Sequence, residues 1–257
     1  RMLADSRFLR HIGNPDEEIE QPPIPAWKGS PSANGLHLAE VKLIFPRNAL
    51  RRHYALHLQH LLMSFLVAHE LHHITNGHVD YENSHGRPVL TETASNKHAE
   101  SNLTSQTLEM DADCGAVCNQ IGTIQIKMTD PNCKPTPPWD KYYELPQSAV
   151  FDWAVAVFVF FRLFGDEPYL NEELLERPHP HDRIRQMMAI STATTWIMTR
   201  WGENIVHVCS EAIASALTQV ERAFPLMTDT PIAVEGLRQS WDGSGLAHSH
   251  VLINHWK

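Results

Sequence analysis

A mainly helical fold with a small β element is what this sequence predicts, and three observations carry the prediction. Tyr54, Leu58, Leu61, Leu62, Phe65 and Leu66 recur at helical spacing. The run AVFDWAVAVFVFFRLF, Ala149 to Phe164, is apolar enough for a buried core helix. One short stretch, AEVKLIF from Ala39 to Phe45, alternates roughly and stops at Pro46, as a strand does.

In chain order, residues 1–35 hold NPDEEIEQPPIPAWKGSPSANG, dense in proline and polar side chains. They read as an irregular arm and not a packed element. The strand follows, and then a long helix from Ala49 to about Asn76, with Gly77 as its stop signal. A polar stretch runs from Val79 to about Asn102. A second helix is expected near Leu103 to Ile121, ending at Gly122. A proline-rich loop fills 130–147 before the apolar helix. The element ERPHPHDRIRQMM then opens a helix reaching about Trp201, and another spans roughly Glu203 to Phe224. The division is an arm over 1–35, one domain over 36–224 and a mixed tail over 225–257, whose His248, His250 and His255 read as exposed.

Composition narrows the function. At 257 residues the chain can bury a full core. A net charge of −9 with no basic block argues against a nucleic-acid backbone as partner. Asp152 and Arg162 interrupt the apolar run, leaving too few apolar residues in a row to cross a bilayer, so no membrane is required. Cys114, Cys118, Cys133 and Cys209 show no CxxC spacing, which fits free thiols in a reducing, cytoplasmic setting.

Histidine is the outlier, with 17 copies, and four of them fall in LVAHELHHITNGH, Leu66 to His78. His69, Glu70 and His73 spell HExxH. Four helical residues advance about 400°, so both imidazoles point the same way and can reach one zinc ion at about 2.1 Å. Glu70 flanks that face, where a carboxylate can take a proton from the attacking water. The pair also continues the apolar stripe of Leu62 and Phe65, which turns it inward, where unpaired imidazoles are costly. A third ligand decides the class. Asn76 and Val79 stand where a metzincin needs glycine and histidine, and His78 is one position short. The stretch TLEMDADCGA instead offers Glu109, with Asp113 four residues on and on the same face, placed to accept the other N–H of a ligating histidine. Small Ala112, Gly115 and Ala116 permit close helix contact.

HELHHITNGH followed by EMDAD resembles the gluzincin metallopeptidases of the CAAX prenyl protease and HtpX group and their soluble relatives, the minigluzincins. The phage-exclusion peptidase Lit is a looser comparison. The resemblance covers about residues 40–200. It implies a zincin-like domain and one catalytic Zn²⁺ held by His69, His73 and Glu109. Glu70 would then be general base and Asp113 the partner of a ligand histidine. That group also carries an HP…RI element whose histidine assists at the substrate carbonyl, its arginine six residues later. Here RPHPHDRI supplies His179, His181 and Arg183, with a shorter separation, and either histidine can fill the role.

The expectation is therefore a zinc-dependent endopeptidase acting on a protein or peptide, with the strand at Val41–Phe45 receiving the substrate edge to edge. Tyr142 and Tyr143 are further candidates to hydrogen-bond the transition state. Two other functions stay open on the residues alone: a zinc-binding regulatory module without turnover, and a zinc hydrolase of non-peptide substrates.

Overall fold

The computed structural model describes residues 2–18, 45–85, 99–164, 174–177, 179–227, 238–241 and 243–256. The protein is mainly helical, and there is no strand among the described residues. The expected strand lies outside them but for Phe45, which is exposed irregular chain. Seven α-helices carry the architecture among the described residues: α1 (Ala49–Thr75), α2 (His78–Ser84), α3 (Ala99–Thr129), α4 (Pro146–Phe164), α5 (Asp182–Arg200), α6 (Glu203–Met227) and α7 (Ser244–Trp256).

The core lies between α4 and its neighbours. Trp153, Phe158 and Phe161 of α4 are fully buried against Phe65 of α1, Val117 and Ile121 of α3, Ile197 of α5 and Val220 of α6. By length and composition α4 passes for a membrane span, yet most of it is buried inside the protein. Its two ionisable residues have internal partners. Asp152 takes a short hydrogen bond from Tyr54 and lies 3.2 Å from His57 Nε2, and Arg162 Nε donates to Glu221.

Helix α1 starts where Asn48 Oδ1 accepts from the Arg51 N–H, and Glu18 accepts the backbone N–H groups of Arg47 and Asn48. It ends at Asn76 and Gly77, whose φ of +75° turns the chain left-handed into α2, as the stop signal predicts. Helix α3 runs past Gly122 to Thr129, further than expected. Glycine there costs the helix roughly 1 kcal/mol, and the buried Ile121 and Ile124 on either side hold this part of α3 to the core.

Two segments expected to be loose are packed. In the proline-rich arm, Leu3, Ala4, Phe8 and Leu9 are buried, because the guanidinium of Arg51 collects the carbonyls of Leu3, Asp5, Phe8, Leu9 and Ile12 at 2.7–3.0 Å. In the tail, the stretch HSHVLINH is part of α7, and His248 is buried with its Nε2 2.6 Å from Gln106 Oε1 of α3. The polar stretch after Val79 opens with α2; residues 86–98 lie outside the described set.

Candidate metal centre

Helices α1 and α3 pack side by side, and their facing sides carry the acidic and histidine residues singled out above. His69 and His73 are both buried, one turn apart on α1, with their Nε2 atoms 3.1 Å from each other. Glu109 of α3 meets them: Oε2 is 3.4 Å from His69 Nε2, and Oε1 is 3.4 Å from His73 Nε2. A regular tetrahedron with bonds of about 2.0–2.1 Å has edges of about 3.3–3.4 Å. The donor separations are close to that length, with each histidine meeting a different oxygen of the Glu109 carboxylate, and the three residues form a buried group that can hold a metal ion.

The surroundings fix this arrangement. His69 Nδ1 lies 2.9 Å from Asp113 Oδ1, so when the ring is neutral its proton belongs on Nδ1 and its Nε2 lone pair faces Glu109 and His73. Asp113 is itself held by Arg185 of α5, whose Nε and Nη2 donate to its two oxygens at 2.7 and 2.9 Å. Burial opposes ionisation of Asp113, but Arg185 and His69 outweigh it and keep its pKa below the ordinary carboxylate value. Burial acts the same way on Glu109. It is more than offset by the imidazoles of His179, His69 and His73 and by Arg185, so Glu109 stays ionised well below its usual range. For His69, burial lowers the pKa while Asp113 and Glu109 raise it to about 9. Two imidazole nitrogens and a carboxylate converging in a buried site suit a divalent cation at their centre, which would displace the proton from His69 Nε2.

Glu70 is exposed, about 100° round α1 from His69, and no partner holds its carboxylate among the described residues. His179 reaches the site: its Nδ1 is 3.6 Å from Glu109 Oε2, and its Nε2 has no hydrogen-bond partner among the described residues. His181 and Arg183 do not join it as expected. His181 Nδ1 caps α5 by accepting the Arg183 backbone N–H. The Arg183 guanidinium turns away to α6, where it donates to Glu221 at 2.6 and 3.2 Å. Tyr142 and Tyr143 are also elsewhere. Tyr142 stacks on His57, twelve residues before His69 and so about 18 Å along the helix axis. Cys114 is half-buried, and its thiol takes a hydrogen bond from Thr192. The residue that the sequence reading missed is Arg185. It follows His179 by six residues, the separation named for the resembling group, and that spacing was the available signal. Among family models, curated proteins and solved structures, nothing matches this chain.

Proposed function

We propose that the protein is a zinc-dependent endopeptidase of gluzincin type, with a zincin-like core in which α1 is the active-site helix and α3 brings the third ligand. The observation that carries this reading is the buried group of His69, His73 and Glu109, with Glu70 the next residue after His69 on α1. Zinc suits two imidazoles and one carboxylate, a set that leaves a position open to substrate. Zinc bound there supplies Lewis acidity, polarising the scissile carbonyl and acidifying the attacking water.

The chain's own residues do the rest. Glu70 takes the proton from the attacking water and delivers it to the leaving amine, a role open to a carboxylate with no competing ion pair. His179, with Nδ1 beside Glu109 and Nε2 unpartnered among the described residues, donates a hydrogen bond to the oxygen that gains charge in the transition state. Asp113 and Arg185 keep the His69 ring in place throughout. A cytoplasmic setting belongs to the same reading, and the four free thiols support it.

The test pairs metal analysis with proteolysis. Wild type and Glu70→Gln should each carry about one zinc per chain. On a proteome-derived peptide library only wild type should cut, the variant losing a factor of at least about 10². Cleavage by Glu70→Gln at the wild-type rate removes Glu70 from the mechanism. Stoichiometric zinc with no cleavage by wild type of any peptide favours the binding module or the non-peptide hydrolase.

A further inference from the structure

The two histidine ligands are supported differently. Asp113 reaches His69 directly. Among the described residues no carboxylate meets His73 Nδ1; that nitrogen lies 3.0 Å from Nδ1 of His78, the first residue of α2. His78 Nε2 in turn lies 3.1 Å from Asp111 Oδ2, which also accepts a 2.6 Å hydrogen bond from Asn76 Nδ2. Proton counting gives this chain one direction. If the His73 Nε2 lone pair faces the metal, its single proton is on Nδ1 and must be donated. His78 Nδ1 must then accept, its own proton sits on Nε2, and Asp111 accepts that one.

Helix geometry explains why a bridge is needed. Asp113 lies about 40° round α3 from Glu109 and so shares its face, whereas Asp111 lies about 200° round and cannot turn its carboxylate to the same side. His78 spans the gap. It is brought there by Gly77, whose left-handed φ reverses the chain after α1 although a Cβ would meet nothing within 4 Å. His78 is buried, and at its outer side Asn76, Gly77, Tyr81, Leu108 and Asp111 line a surface cavity of about 450 Å³.

We propose that His78 and Asp111 are positioning residues for the ligand His73, a relay in which Asp111 fixes the tautomer of His78 and His78 fixes that of His73. This rests on the zinc reading of the site. It gives each acidic residue of EMDAD a task at one centre: Glu109 as ligand, Asp113 behind His69, and Asp111 behind His73 through His78.

Three measurements on the full chain test it. Long-range ¹H–¹⁵N spectra of the zinc-loaded protein should show His73 protonated on Nδ1 and His78 on Nε2; the opposite tautomers overturn the relay. Zinc affinity from chelator competition should fall about 10–100-fold in His78→Phe and about 10-fold in Asp111→Asn, with the helical signal retained. The Co²⁺-substituted absorption bands should shift in both variants. His78→Asn keeps an acceptor for His73 and should recover most of the affinity. In that background Asp111→Asn should have no further effect, because the link it serves is gone. Independent, multiplying losses in the double variant overturn the relay and leave the zinc reading standing. If wild type binds neither Zn²⁺ nor Co²⁺, the zinc reading fails and the relay with it.

Discussion

The ring of His72 on α1 lies directly over Gly115 of α3, so close that a Cβ at Gly115 would come within 2.5 Å of His72 Nδ1. Close approach of the two helices at the level of the ligands therefore depends on one missing side chain. Gly115→Ala forces the ring out or the helices apart. It should destabilise the fold by about 1–3 kcal/mol, more than the gain of up to about 1 kcal/mol from alanine's helix propensity. Adding His72→Ala removes the clash and should restore most of the stability. Chemical denaturation of the three variants checks this, and a Gly115→Ala protein as stable as wild type would show that His72 moves aside freely.

Glu109→Ala should lose most bound zinc, since it removes one of three ligand groups. Asp113→Asn should keep the ion but bind it about 10–100-fold more weakly, the usual effect of altering the partner of a ligand histidine. Plasma mass spectrometry after gel filtration measures the first, and chelator competition the second. Full zinc in Glu109→Ala would refute the assignment of that ligand.

Stripping the metal should leave a folded protein. The ligand residues sit on α1 and α3, helices packed along much of their length, and the charge of Asp113 is already neutralised by Arg185. With a chelator the far-ultraviolet signal should remain helical while the melting temperature drops by about 5–10 °C, the loss expected when a tight ligand is withdrawn. Complete unfolding on chelation would instead place the site among those that metal folds.

Asp182, at the start of α5, gives a pH signature. Burial pushes its pKa up to about 6 against the pull of Arg185 and Arg177. A carboxyl raised on folding takes up a proton more readily in the native state. Its cost to stability is therefore absent below the unfolded value near 4, grows between about pH 4 and 6, and is fully present above 6. Asp182→Asn should raise stability by about 1–2 kcal/mol at pH 7.5, after allowance for its partial exposure, and by almost nothing at pH 4. Melting curves across that range will show whether the difference vanishes at low pH as the sign requires.

The thiols should separate by environment. Burial pushes Cys114 up to about 12 and Cys209 up to about 11, whereas Cys133 is exposed. In the native protein at pH 8 iodoacetamide should label Cys133 first, leaving Cys114 and Cys209 unlabelled until denaturant is added. Peptide mapping reads the order.

The centre was legible because its signals are local. His69 with His73, and Glu109 with Asp113, are i, i+4 pairs on helices, and such pairs share a face whatever the rest of the chain does. His179 was visible through its HP motif, but its arginine was misplaced by two positions. Arg183 and Arg185 lie on opposite sides of α5, and only the packing of α6 through Glu221 decides which faces the metal centre. The packed N-terminal segment left no trace because its partner is one guanidinium binding backbone carbonyls, which impose no pattern on side chains. Helix α7 was hidden for a related reason: Gln106 and His248 are 142 residues apart, and neither announces the other.

Arg51 and His69 are eighteen residues apart (69 − 51), which at 100° per residue is five whole turns. The guanidinium that gathers the N-terminal carbonyls and the imidazole that faces Glu109 are therefore in phase, at opposite ends of about 27 Å of one helix. Gln120 fixes the middle by donating to the Leu61 carbonyl at 2.7 Å. A rod gripped at three levels cannot screw along its axis. Inserting or deleting a single residue between Arg51 and His69 would rotate the metal-facing pair by 100° and carry both imidazoles out of reach of Glu109, with every ligand still present. The count of residues along α1 is itself part of the site.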